Sequence, residues 1–149
     1  MTRYVHTNII AKDPTLLIDF YQQVFDCRRI GETRNLRGDW LDRLAGIPDA
    51  HITGEHLCLP GYEEGHPTLE IFSYEKMQGE QQHPINSYGF AHIAFEVDNV
   101  EKTLEKVLAF GGSMVGELVH ADYEDGRKAT FVYTRDPEGN IVELQSWSK

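Results

Sequence analysis

Four side chains of this 149-residue chain are placed to do chemistry: His6 and Glu70 in the N-terminal half, His92 and Glu143 in the C-terminal half. In each half the histidine stands on the first extended stretch and the glutamate on the last. Two imidazoles and two carboxylates suit a divalent first-row metal such as Zn, Ni, Co, Mn or Fe, with room left for water or substrate oxygens. Any one of the four alone reads as an ordinary strand residue, solvated or satisfied by a neighbour. Their matching placement in two repeats is what marks them.

The elements that must hold them follow from periodicity. Tyr88–Asp98 reads as a strand in which Ile93, Phe95 and Val97 line one face and His92 stands on the other. A helix should follow at once, capped by Asp98 with Glu101 completing a capping box; Val100, Leu104, Val107 and Leu108 recur at helical spacing, and Gly111-Gly112 ends it. The N-terminus repeats this plan. Tyr4–Ala11 is a short strand carrying His6, Asp13-Pro14 opens a helix, and Leu16, Leu17, Phe20, Tyr21 and Val24 form its apolar stripe.

Between these landmarks Cys27–Gly38 reads as an edge strand, Asp39–Leu44 as a helical turn or two capped by Asp39, and Ala50–Leu59 and Pro67–Tyr74 as strands. Residues 76–87 are polar and aperiodic, a linker. In the second half Ser113–Ala121, Arg127–Thr134 and Asn140–Trp147 read as strands, with a tight turn at Asp136-Pro-Glu-Gly139. Each half is thus strand–helix–strand–strand–strand. If each sheet curls away from its helix, the four candidate ligands would face a shared concavity.

Composition narrows the classes. The chain is 40% hydrophobic and 26% charged with no long apolar run, which predicts a soluble globular protein without a membrane span. No signal peptide is visible at Met1-Thr-Arg, so a cytoplasmic address is expected. A formal net charge of −10 argues against nucleic acid. Arg28, Arg29, Arg34, Arg37 and Arg43 form a local basic stretch, read as a solvated edge blunted by charge rather than a grip for an anionic substrate. Cys27 and Cys58 read as buried small hydrophobes. His51, His56, His66, His83 and His120 read as surface or loop residues.

The segments Val5-His-Thr-Asn8, Asp19-Phe-Tyr21, Leu69-Glu-Ile71, Gly89-Phe-Ala-His-Ile-Ala94, Val97-Asp-Asn99 and Asp136–Leu144 resemble the vicinal oxygen chelate superfamily, and within it are most similar to glyoxalase I. The resemblance covers both halves; only Glu32–Gly65 matches poorly. It implies an α+β fold of two paired βαβββ modules forming a curved, largely antiparallel sheet around a metal-binding cavity. The chain would be one domain, 1–149, with module 1 at 1–75, the linker at 76–87 and module 2 at 88–149. It further implies a metal held by His6, Glu70, His92 and Glu143, and a homodimer.

By the same resemblance the reaction is a metal-dependent isomerisation or lysis. A proton moves between adjacent carbons through a metal-bound enediolate, with Glu143 as base and Glu70 as its partner. Two departures count against glutathione: the position where glyoxalase I has a substrate-gripping arginine is Ile10, and where it has an asparagine is Tyr74. Asn8, Ile10, Phe72, Tyr74, Phe131, Tyr133 and Trp147 would line a largely apolar, aromatic wall for a less charged small molecule. The same aromatic residues read equally well as core. Alternatives within the superfamily are an extradiol dioxygenase, an acyl-CoA epimerase and a non-catalytic antibiotic-binding protein.

Overall fold

The structure is a computed structural model that describes residues 1–79 and 83–148. Residues 80–82 of the expected linker, and Lys149 at the end of the second module, lie outside the described residues. Two compact units divide the chain, Met1–Gly79 and Glu80–Lys149. No described helix is long and apolar enough to cross a membrane.

The first unit runs β1 (His6–Ile10), α1 (Pro14–Phe25), β2 (Arg28–Arg37), α2 (Asp39–Ala45), β3 (His51–Cys58) and β4 (Thr68–Tyr74). Its sheet has the order β1-β4-β3-β2, with β1 parallel to β4 and the other pairs antiparallel. Asp13 accepts a hydrogen bond from Leu16 N at 3.1 Å and Pro14 opens α1, as the sequence predicts. The buried stripe is Leu17, Ile18, Phe20, Tyr21, Val24 and Phe25, whereas Leu16, expected in it, is exposed. Leu69 and Ile71 present the opposite sheet face and are fully buried. That leaves His6, Asn8, Glu70 and Phe72 on the other side of the sheet. A smaller cluster of Leu41, Ala50, Ile52 and Phe72 packs α2 onto the sheet.

The second unit repeats the plan: β5 (His92–Glu96), α3 (Val100–Ala109), β6 (Ser113–Met114), β7 (Val119–Asp122), β8 (Lys128–Arg135) and β9 (Ile141–Ser148). The order is β5-β9-β8-β6 with β7 also on β8, and β5 is parallel to β9. The α+β class holds, with two mixed sheets.

Three local expectations are corrected. The cap of α3 is Asn99, whose side chain accepts from Lys102 N at 2.8 Å; Asp98 lies one residue outside. The cap of α2 is Gly38 rather than Asp39, which is the first helical residue. The strand expected at Ser113–Ala121 is two short ones, parted where Val115 N bonds Tyr133 O and Gly116 follows. The Asp136 turn forms as read: Gly139 N bonds Asp136 O at 3.0 Å, and Asp136 Oδ1 accepts from Glu138 N and Asn140 N.

Candidate metal centre

Parallel pairing of the first and last strands brings each histidine to its glutamate. In the first unit Asn8 is opposite Glu70, so His6, two residues earlier, reaches it diagonally: His6 Nε2 stands 2.9 Å from Glu70 Oε1. In the second unit Ala94 is opposite Glu143, and His92 Nε2 stands 3.0 Å from Glu143 Oε2. The glutamates are sheltered, their side chains 11% and 14% exposed, while His6 and His92 are more open at 44% and 27%.

Each unit therefore supplies one imidazole nitrogen and one carboxylate oxygen in mutual contact, a donor set that fits a divalent first-row cation. Among the described residues, no group of three or more His, Cys, Asp or Glu side chains within reach of one ion is found.

The two pairs differ in their surroundings. Glu70 is held at both oxygens. Oε1 meets His6 and, at 3.4 Å, Asn8 Nδ2, while Oε2 meets His56 Nε2 at 2.5 Å. Glu143 meets His92 alone among the contacts of the described residues. The register position that holds His56 opposite Glu70 holds Tyr133 opposite Glu143, and the Tyr133 ring packs 5.1 Å from that of His92.

Of the remaining histidines read as surface or loop residues, His51 and His56 are instead half-buried on a strand, whereas His120 is exposed as expected. His56 lies on β3 between Glu70 and Arg34. His51, also on β3, meets Glu75 Oε2 at 3.0 Å and Asn35 Oδ1 at 2.6 Å. His120, on β7, meets Thr130 Oγ1 at 2.9 Å. These are cross-strand pairs, and register is what creates them.

The expected wall residues fall into two groups. Phe131, Tyr133 and Trp147 share the Glu143 face of the second sheet. Trp147 stacks with Tyr123 and Phe131, and the Arg127 guanidinium lies 5.1 Å over its ring. In the first unit Ile10 is exposed beside Phe72, while Phe72 is buried against Leu41 and Ile52, with Tyr74 packed on the same cluster. A concavity of about 560 Å³ in the second unit is lined by residues that include Asp98, Glu101, His120, Lys128 and Trp147, and touches neither His92 nor Glu143.

The basic stretch does not converge. Arg29 approaches Glu55 at 3.8 Å, Arg37 approaches Asp49 at 3.8 Å, and Arg43 pairs with Asp39 at 3.0 Å. Cys27 is buried and its thiol is pushed up to about 12, chiefly by burial and then by the charge of Asp26 and by Cys58.

Two mixed sheets, each with a strand–helix entry and a histidine meeting a glutamate across its parallel pair, define a duplicated βαβββ protein of vicinal oxygen chelate type. Residues 3–144 match the model of the Glyoxalase/Bleomycin resistance protein/Dioxygenase superfamily, and the chain belongs to that family. A lactoylglutathione lyase of Haemophilus influenzae is 29% identical over 141 residues, spanning 94% of this chain and 89% of that protein. A glyoxalase family protein from Bacillus cereus shares the fold with a TM-score of 0.77 at 20% identity, covering 99% of this chain and 94% of that one. A fosfomycin resistance protein variant from Listeria monocytogenes, complexed with Mn(II) and 1S,2S-dihydroxypropylphosphonic acid, has a TM-score of 0.56 at 17% identity, covering 97% and 91%.

Proposed function

We propose that the protein is a metal-dependent isomerase or lyase of glyoxalase I type, moving a proton between adjacent carbons of a small vicinal-oxygen substrate. The observation that carries this reading is the repeated His–Glu contact, 2.9 Å in one unit and 3.0 Å in the other, at matching positions of two like sheets. The distant likeness to a lactoylglutathione lyase supports it.

His6, Glu70, His92 and Glu143 would be the metal ligands. Bound there, a divalent cation (Zn, Ni, Co, Mn or Fe) would act as a Lewis acid on the substrate's two oxygens and so acidify the C–H beside them. Glu143 takes that proton and returns it to the neighbouring carbon. The base must change its contacts during turnover, and Glu143 has one partner to leave where Glu70 has three. Glu70 serves as its fixed counterpart. Tyr133, Phe131 and Trp147 offer an aromatic face to the substrate, with Asn8 and Ile10 beside the first pair. Ile10 and Tyr74 bring no charge or amide to grip glutathione, so the substrate would be a less charged small molecule. The protein would act as a cytoplasmic homodimer.

Metal analysis and Co(II) titration test this. The native protein should take up metal, and His6→Ala and Glu143→Gln should each weaken uptake. Methylglyoxal with glutathione should give little thioester. A native protein that binds no divalent cation would overturn the reading.

A further inference from the structure

We infer that Arg34 and His56 form a hydrogen-bonded relay that fixes the Glu70 carboxylate, with His56 acting as a positioning residue and not as a ligand. The inference rests on the proposed role of Glu70 as a metal ligand and adds two residues to it.

The argument turns on what each nitrogen can do. A guanidinium only donates. Arg34 Nε lies 3.1 Å from His56 Nδ1, so Nδ1 must be the bare acceptor and the imidazole proton sits on Nε2. That proton points at Glu70 Oε2, 2.5 Å away. The nitrogen facing the site therefore has no lone pair for a metal, although the side chain is only 18% exposed and touches the candidate ligand Glu70. With Oε2 engaged, Glu70 presents Oε1 to His6 and Asn8. Phe72 backs the His56 ring edge-on, at 5.4 Å and 82°.

Backbone geometry installs the arginine. Along β2, Ile30 pairs with His56 and Arg34 with Gly54, so four residues of β2 are spent against two of β3. Gly31, at φ 68°, takes the left-handed turn that this bulge needs. In a regular ladder Glu32 would stand opposite Gly54. A carboxylate there would accept from Nδ1–H and leave Nε2 bare against a second carboxylate. The bulge puts a donor where an acceptor would fall. In the second unit the positions opposite the glutamate, filled by Asn8 and His56 around Glu70, hold Ala94 and Tyr133, and Glu143 has no such support.

Two measurements test the relay. Nitrogen-15 NMR of the native protein without added metal should show His56 protonated on Nε2 and bare on Nδ1; the opposite tautomer, or an imidazolium, would overturn the proposal. Co(II) titration followed by the cobalt absorption bands should show His56→Leu weakened about 10- to 100-fold. His56→Gln should restore binding to within a few-fold, since its amide nitrogen reaches about as far as Nε2 and can donate but is a poor ligand. Native-like cobalt affinity in His56→Leu would sink the positioning role. Equal loss in both variants would make His56 a ligand and sink it too. Circular dichroism controls for folding of the leucine variant. If the native protein takes no cobalt, the proposed function fails, while the tautomer still decides the relay.

Discussion

A carboxylate held at both oxygens and one held at a single oxygen are different tools, though the chain places them at equivalent positions. Glu143→Gln should lower turnover by about 10²–10⁴-fold, the usual worth of a positioned general base, in a steady-state assay once a substrate is found. Glu70→Gln should act first on metal content. Cys27 offers a check that depends on no metal. The thiol ionises near its ordinary 9.0 in the unfolded chain but only near 12 when folded. Between those values the folded protein holds the extra proton, so stability should fall as pH rises from about 9 toward 12. Urea unfolding of native protein and Cys27→Ala would show this slope in the first and a reduced slope in the second. The four candidate ligands were legible because type and spacing repeat. His56 was not. Its partner lies on the next strand, and only the β3–β4 register reveals that the two are opposite. The available signal was alternation: Ile52, Gly54 and His56 share the face that also carries Glu70.

At the scale of elements, strands and helices follow from alternation and apolar spacing, and their ends follow from single side chains. Asn99→Ala should cost about 1 kcal/mol because it removes the acceptor for Lys102 N, whereas Asp98→Ala should change stability by a few tenths at most. Paired chemical denaturation curves would separate them. The sequence pattern points to Asp98, and a shift of one position is below what spacing resolves. The strand at Ser113 was overread for a related reason. Val115 still bonds Tyr133 in the β6–β8 register, but the register then slips by two residues before β7 pairs Val119 with Phe131. Gly54 was legible only as a glycine. At φ 153° a Cβ there would lie 2.1 Å from the Ile71 carbonyl oxygen, a close approach set by a neighbouring strand.

For the whole molecule, duplication was the most legible property, because a repeated strand–helix entry needs no knowledge of register. The reaction was least legible, since fold and ligand types are shared across many chemistries. If the proposed ion binds the folded chain alone, metal at a hundredfold excess over Kd should add about 2.7 kcal/mol of stability. Calorimetry should show Tm rising by several degrees, reversed by chelator and much reduced in Glu143→Gln. The placement of the chain's two tryptophans has a practical consequence. Trp40 lies on α2 of the first unit, and Trp147 lies in the aromatic stack of the second. Each half thus carries its own fluorophore. Trp40→Phe and Trp147→Phe variants would let the melting of either half be watched in isolation by emission, without any attached dye.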